Sequence, residues 1–411
     1  MILVAKKCIL NVCMLLLFCS SLLAQKNISG VVKSADNNQP IAGASVFLNN
    51  TSIGTVTNNA GAFNLQLPSG KYDLIISSIG YITQVKTISS LEEAAFFTIQ
   101  LQPEVKELQA VVVEPFEKDG WNKWGQLFLD NFIGVSSMAN ECRIKNKQTI
   151  RFRYSKVKQV VTAHATEPLI IENDYLGYKL QYLLEEFSYN FKTKMIFYVG
   201  YPLFTPMKGS NAKMKRWERR RKEVYQGSIM HFMRSVYRNT LLEEGFEVRR
   251  LEKMQNMEKK RVNALYAELL HATRTSGTIN LNSNNINLHS DSSAYYQTIM
   301  KQPDHLDVLY NTILPGDSIA YAVNPTTAGM DFPDYLQVLY KHKTAHPDYI
   351  RMYPKNSTAV LSQLQLINGN PIEVQANGMY YNPLELISSG YWSWSEKIST
   401  MLPFDYWPKN E

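Results

Sequence analysis

From Ile28 to Leu101 apolar and polar residues alternate in short runs broken by turn residues, the period expected of strands that bury one face. Ala44, Val46 and Leu48 share a face, and Phe63, Leu65 and Leu67 follow the turn at Asn58, Asn59 and Gly61. Tyr72, Leu74 and Ile76 follow Pro68, Ser69 and Gly70, and Phe97, Ile99 and Leu101 close the series. An opening strand near Ile28 to Val32 and another after Gly80 and Tyr81 bring the total to about six or seven, enough for a two-layer sandwich.

Beyond Phe116 the pattern turns mixed. Trp121, Trp124, Phe128 and Phe132 recur at helical spacing with Gly134 as the stop. Strand-like sets follow at Ile150, Phe152 and Tyr154, at Tyr178, Leu180, Tyr182 and Leu184, and at Met195 to Val199. The segment Lys213 to Lys222 then carries seven positive charges against the single Glu218, with Met214, Trp217 and Val224 as its apolar stripe. A second helix is predicted from Ser228, with Ile229, Phe232, Met233 and Val236 facing inward and Gly245 ending it after Glu244. The expected fold is α+β overall, an N-terminal all-β sandwich over 27–102 followed, after a linker or edge strand at 103–116, by a mixed α+β domain over 117–411 with a basic helix pair.

Composition narrows the class. The 411 residues are 45% apolar and 19% charged, too much to bury and too little repulsion for a disordered chain. A net charge of +7, concentrated in one stretch, is modest at this length and argues against a nucleic-acid coat. Lys6 and Lys7, the apolar run Ile9 to Leu17 and the small residues within Ser20 to Ala24 read as a secretory signal over 1–24, whose removal leaves no transmembrane span. Cys8, Cys13 and Cys19 leave with it, so Cys142 alone remains and the mature fold relies on burial rather than an internal disulfide.

The ordered series Gly30-Val31-Val32, Gln39 to Val46, Gly54 to Thr57, Gly61-Ala62-Phe63, Gly70 to Leu74 and Ile79-Gly80-Tyr81 resembles the carboxypeptidase-like regulatory domain. That domain is a transthyretin-like sandwich common in exported proteins of Bacteroides-type bacteria; Asn58 departs from it where Asp is usual. The resemblance implies a scaffold and brings no peptidase residues. Lys106 to Val113 resembles the coupling segment that follows this module in energised outer-membrane transporters, but the roughly 300 residues that remain lack the repeated amphipathic strands of a barrel. Glu167-Pro168-Leu169, Leu176-Gly177-Tyr178, Tyr225 to Ser228, His231 to Ser235, Gly390 to Trp394 and Leu402 to Tyr406 resemble an uncharacterised C-terminal region that accompanies the module.

Candidate chemistry is sparse. Arg216, Arg219, Arg220 and Arg221 suit phosphate groups of lipopolysaccharide or an acidic polysaccharide, because clustered guanidinium groups form bidentate charge-assisted bonds. His231 and Arg234 fall on one side of the second helix and form the best polar pair for a site, with Glu172 or Asp174 as a carboxylate partner. Trp392, Trp394, Tyr406 and Trp407 offer rings for sugar stacking or for packing. His342 and His346 are four apart, yet Lys343 stands where a zinc protease needs Glu, and after Gly316-Asp317-Ser318 no later Asp precedes a His at the spacing that esterases with such a block use. No metal or cofactor is expected. The reading is a non-enzymatic scaffold or binding protein of the cell envelope, in the periplasm or at the outer membrane, engaging a protein or glycan partner. Its rival is an unrecognised hydrolase within 117–411, which requires His231, Arg234 and an acid in one pocket.

Overall fold

A computed structural model describes residues 26–92, 96–104, 115–275, 290–356, 358–381 and 383–409, so the signal expected over 1–24 and most of the connection expected over 103–116 lie outside the described residues. The alternating N-terminal segment forms seven strands among the described residues: β1 (Lys26–Ser34), β2 (Ser45–Leu48), β3 (Gly54–Val56), β4 (Ala62–Leu67), β5 (Lys71–Ser77), β6 (Gln84–Ser89) and β7 (Phe96–Leu101). They make two sheets, ordered β4-β1-β7 and β3-β2-β5-β6, with β7 parallel to β1. Val32, Val46, Leu48, Leu74 and Ile76, all at 0% exposure, meet between the layers. Each such burial stabilises the fold by about 1.5–3 kcal/mol, which is why the period of two decides the architecture.

Strict alternation would leave Phe47 and Ile75 on the outer face of the second sheet in water, yet they are 2% and 0% exposed. That face is covered because the β2–β3 turn leans on the following part of the chain. Thr51 bridges Leu203, Asn50 N–H donates to the Pro202 carbonyl at 2.9 Å, and Phe204 N–H donates to the Thr51 carbonyl at 2.9 Å. Gly54 permits the approach, since a Cβ there would lie 2.9 Å from both Leu203 Cδ1 and Phe47 Cβ.

Next comes α1 (Gly120–Phe132), followed by β8 (Cys142–Ile144), β9 (Ile150–Ser155), β10 (Val160–Ala165), β11 (Leu169–Asn173), β12 (Tyr178–Asn190) and β13 (Ile196–Pro206). The long β12 pairs β11 and β10 in succession along one edge and β13 along the other. Phe128 and Phe132 of α1 are fully buried against Phe152, Phe187 and Tyr182 of this sheet, which is what the helical spacing of aromatics predicts. Cys142 is buried here, and burial pushes its thiol up to about 12, so it stays protonated.

The basic segment is α2 (Asn211–Tyr225), and α3 (Ile229–Arg238) follows. Serine hydroxyls open both helices: Ser210 accepts from Lys213 N–H and Ser228 from His231 N–H. Two expectations need correction. Helix α3 stops at Arg238 because Asn239 takes the left-handed conformation (φ 57), whereas Gly245 (φ 88) sits in the later turn into the next strand. Met214 is 44% exposed, so the buried stripe of α2 is carried by Trp217 and Tyr225, with Val224 half-buried beside them.

The remainder comprises β14 (Phe246–Gln255), α4 (Met257–Thr275), α5 (Ser290–Met300), β15 (His305–Leu309), β16 (Ala320–Asn324), β17 (Thr327–Met330), β18 (Tyr335–Thr344), α6 (Pro347–Met352), β19 (Ala359–Leu366), β20 (Ile372–Gln375), β21 (Tyr380–Tyr381), β22 (Leu386–Gly390) and α7 (Tyr391–Ser395). One sheet runs β15-β14-β18-β19-β22 and another β16-β17-β20-β21. Residues 117 onward therefore hold two buried clusters, one on α1 and β12, the other on α3, β14, β18 and α7, meeting where Val224 and Tyr175 touch both. No helix among the described residues is long and apolar enough to cross a membrane.

Leu74→Ala should lower the unfolding free energy by about 2–5 kcal/mol in a denaturant titration, the cost of a cavity between the sheets. Gln84→Ala on the exposed β6 should change it by less than about 0.5 kcal/mol.

Candidate functional site

The arginines of α2 divide by helical phase. Positions 217, 220, 221 and 224 point toward the β-sheet, while 216, 219 and 223 point outward. Arg220 makes a bidentate pair with Glu141, both contacts 3.0 Å, and its guanidinium lies 4.1 Å from the Tyr175 ring centre. Arg221 donates to the carbonyls of Leu176 (2.7 Å) and Gly177 (3.0 Å) and stacks 3.9 Å over Tyr178. Both therefore bind the turn before β12. Trp217 completes that contact: its Nε1–H donates to the Asp174 carbonyl at 2.8 Å, and its ring lies on Gly177, where a Cβ would come within 2.2 Å. Arg219 is exposed and pairs loosely with Glu223 at 3.6 Å, and Arg216 is exposed one turn earlier. Of the four clustered arginines, these two present their charge to solvent.

Arg234 is 0% exposed. Its Nε–H donates to the Asn377 carbonyl at 2.8 Å, and its Nη2 donates to the carbonyls of Phe404 (3.1 Å) and Tyr406 (3.0 Å). Trp407 covers the guanidinium at 3.8 Å and Tyr225 flanks it at 5.2 Å. A buried cation is costly unless its donors find acceptors; here backbone carbonyls answer Nε and Nη2 and two aromatic faces flank the group, while Nη1 is buried without a hydrogen-bond partner among the described residues. The chain's C-terminal segment is thus drawn onto α3. From there it reaches the sandwich: Phe404 N–H donates to the Asn50 carbonyl at 2.7 Å, and the Asp405 carboxylate accepts from Ser52 N–H at 2.9 Å and from the Ser52 hydroxyl. Lys71 adds a 2.7 Å pair with Glu373 while lying over Tyr381.

His231, one turn before Arg234, belongs to a separate network. Gly227 N–H donates to its Nδ1 at 3.1 Å, which assigns the ring proton to Nε2, and Nε2–H donates to Glu244 at 3.1 Å. The ring packs against Tyr225, Phe246 and Tyr340, and burial pulls its pKa below the ordinary value against the opposing pull of Glu244. A cavity of about 300 Å³ opens beside it, lined by Tyr225, Gln226, Glu244, Tyr340, His342 and Lys409. Arg234 is absent from its lining. The carboxylates expected from sequence go elsewhere, Glu172 to Lys145 at 3.3 Å and Asp174 to Lys213 at 3.7 Å.

Glu244 and Glu396 escaped the sequence reading. Glu396 accepts from Ile229 N–H, the first amide of α3, at 3.2 Å; burial raises its carboxyl to about 7, partly offset by that amide and by Lys343. Long separations in the chain hide such partners. Trp392 and Trp394 are core residues at 1% and 6% exposure, and Trp407, half-exposed, has one face taken by Arg234. His342 lies in β18 and His346 caps α6, so the two rings share no helix face. Among the described residues no three potential ligands gather to hold a metal.

Arg234→Met should cost about 2–4 kcal/mol in equilibrium unfolding, since carbonyls lose their buried donors. Protonating His231 would set a new Nδ1–H against Gly227 N–H. The folded imidazole titrates below the unfolded value of 6.5, so its contribution to stability is complete above pH 6.5 and is lost as pH falls below it. His231→Gln should flatten that part of the stability profile, as read from denaturant titrations on either side of pH 6.5.

Comparison with known proteins bears on the N-terminal part. No curated protein matches the chain in sequence. Among solved structures, a type II cohesin–X-dockerin complex from Acetivibrio cellulolyticus is 21% identical over 19% of this chain and 58% of its own, TM-score 0.17, so the chain spans little more than half of that relative. A DUF3823 family protein from Bacteroides ovatus is 10% identical over 45% of this chain and 83% of its own, TM-score 0.16. A membrane-associated protein of unknown function from Bacteroides fragilis is 9% identical over 85% of this chain and 93% of its own, TM-score 0.17. The family match is local: residues 28–113, the sandwich and the segment after it, match the CarboxypepD_reg-like domain.

Proposed function

We propose that this protein is a non-enzymatic scaffold of the cell envelope, in which the sandwich and the α+β region act as one body that engages a protein or glycan partner. The observation that carries the reading is the state of His231, whose two ring nitrogens are both committed, one to a backbone amide and one to Glu244. A general base needs a free lone pair directed at substrate. Arg234, the second half of the candidate pair, holds the C-terminal segment instead. The regulatory-like family of residues 28–113 agrees with a presenting role rather than a reacting one. The partner surface suggested by the sequence narrows to the outward side of α2, at Arg216 and Arg219, because Arg220 and Arg221 are bound within the fold.

The test has two arms. Mature protein assayed against ester, peptide and glycoside substrates should show no turnover above buffer; turnover abolished by His231→Ala would establish the hydrolase instead. Capture from envelope extract should lose its partner on Arg216→Ala with Arg219→Ala. Undiminished capture of every partner would remove α2 from the binding surface.

A further inference from the structure

Two hairpin turns at one end of the β8–β13 sheet stand side by side. The β9–β10 turn carries Lys156, Val157 and Lys158, and the β12–β13 turn carries Lys192, Thr193, Lys194 and Met195. They are joined directly: Val160 pairs with both Ser155 and Asn190, and Phe191 N–H donates to the Gln159 carbonyl at 2.9 Å. The turns are also well held. Asn190 Oδ1 accepts from the amides of Lys192 (2.9 Å) and Thr193 (3.1 Å), and Asn190 N–H donates to the Met195 carbonyl at 3.0 Å. Val157 is 94% exposed and Met195 54%, so two apolar side chains project from a rigid end of the sheet rather than into a core.

Charge follows the same geometry. Lys156, Lys158, Lys192 and Lys194 are all exposed, and none forms an ion pair among the described residues; Lys194 only leans toward the Phe191 ring at 5.9 Å. No acidic residue occurs between 150 and 166 or between 187 and 207. Behind the tip lies an aromatic base, with Trp124 of α1 at 5.1 Å from Tyr154 and 5.8 Å from Phe191. Unpaired lysines around exposed apolar side chains, backed by Trp and Tyr, combine attraction to anionic headgroups with shallow insertion below them.

We propose that this double-hairpin tip docks on an anionic phospholipid bilayer, Val157 and Met195 entering the headgroup region and the four lysines meeting phosphates. The proposal goes beyond the scaffold reading and uses none of its residues. Full-length mature protein should co-sediment with vesicles of phosphatidylethanolamine and phosphatidylglycerol but not with phosphatidylcholine vesicles, and rising salt should weaken the binding. Replacing the four lysines by Ala should weaken it on the order of several hundredfold at low salt, with an unchanged melting temperature because the turns are exposed. A Val157→Trp variant should shift its emission to the blue on the anionic vesicles. Binding that ignores lipid charge, survives the lysine replacements, or leaves the emission of Val157→Trp unmoved would overturn the proposal. Equally tight binding of single-stranded DNA would assign the tip to nucleic acid and overturn it as well.

Discussion

A single buried guanidinium organises the joining of this molecule. Arg234 is 0% exposed, and its Nε and Nη2 donors are answered by carbonyls from the loop at Asn377 and from the C-terminal segment at Phe404 and Tyr406. Leaving a buried charge without acceptors would cost several kcal/mol, and the C-terminal segment lying across α3 offsets that cost at Nη2. Once there, its next residues reach the β2–β3 turn through Asn50 and Ser52. The same β2–β3 turn meets Pro202, Leu203 and Phe204, which accounts for the burial of Phe47 and Ile75 on the outer face of the sandwich. First and last parts of the chain thereby become neighbours.

This arrangement changes what the basic and polar residues mean. A cluster of arginines on one helix reads as a single anion site, but the helix has two sides and the inward side needs partners of its own. Arg220 and Arg221 tie α2 to Glu141 and to the turn before β12, where Trp217 rests on Gly177. His231 and Arg234 are three residues apart on α3, yet one faces Glu244 and the other faces the C-terminal segment. Proximity along a helix placed them together without giving them a common task.

Legibility in the sequence followed the range of the interactions. The sandwich was readable because its information is local: alternation and turn residues within each short run state which side chains face inward, and Val46, Leu65, Leu74 and Ile99 do so. Helix α1 was readable for the same reason, as was the start of α3 at Ser228. The end of α3 was misread because Asn239 adopts a left-handed backbone that sequence analysis assigns first to glycine. Glu244 beside His231, Glu396 on the first amide of α3 and Asp405 on Ser52 depend on folding segments 13, 167 and 353 residues apart onto each other, and no spacing rule carries that. The elements between Phe246 and Gly390 were likewise unread, since strands such as β14 and β18 acquire their buried faces from each other.

The central claim is that the C-terminal segment is a structural strut between α3 and the sandwich. Native-state hydrogen exchange at the amides of Ser52 and Phe404 tests it most directly, because these donate to Asp405 and to the Asn50 carbonyl, respectively. Protection of both amides close to that of the strand interiors, rising and falling together with conditions, is the expected result. Exchange of either at the rate of an open loop, while the sandwich core stays protected, would contradict it.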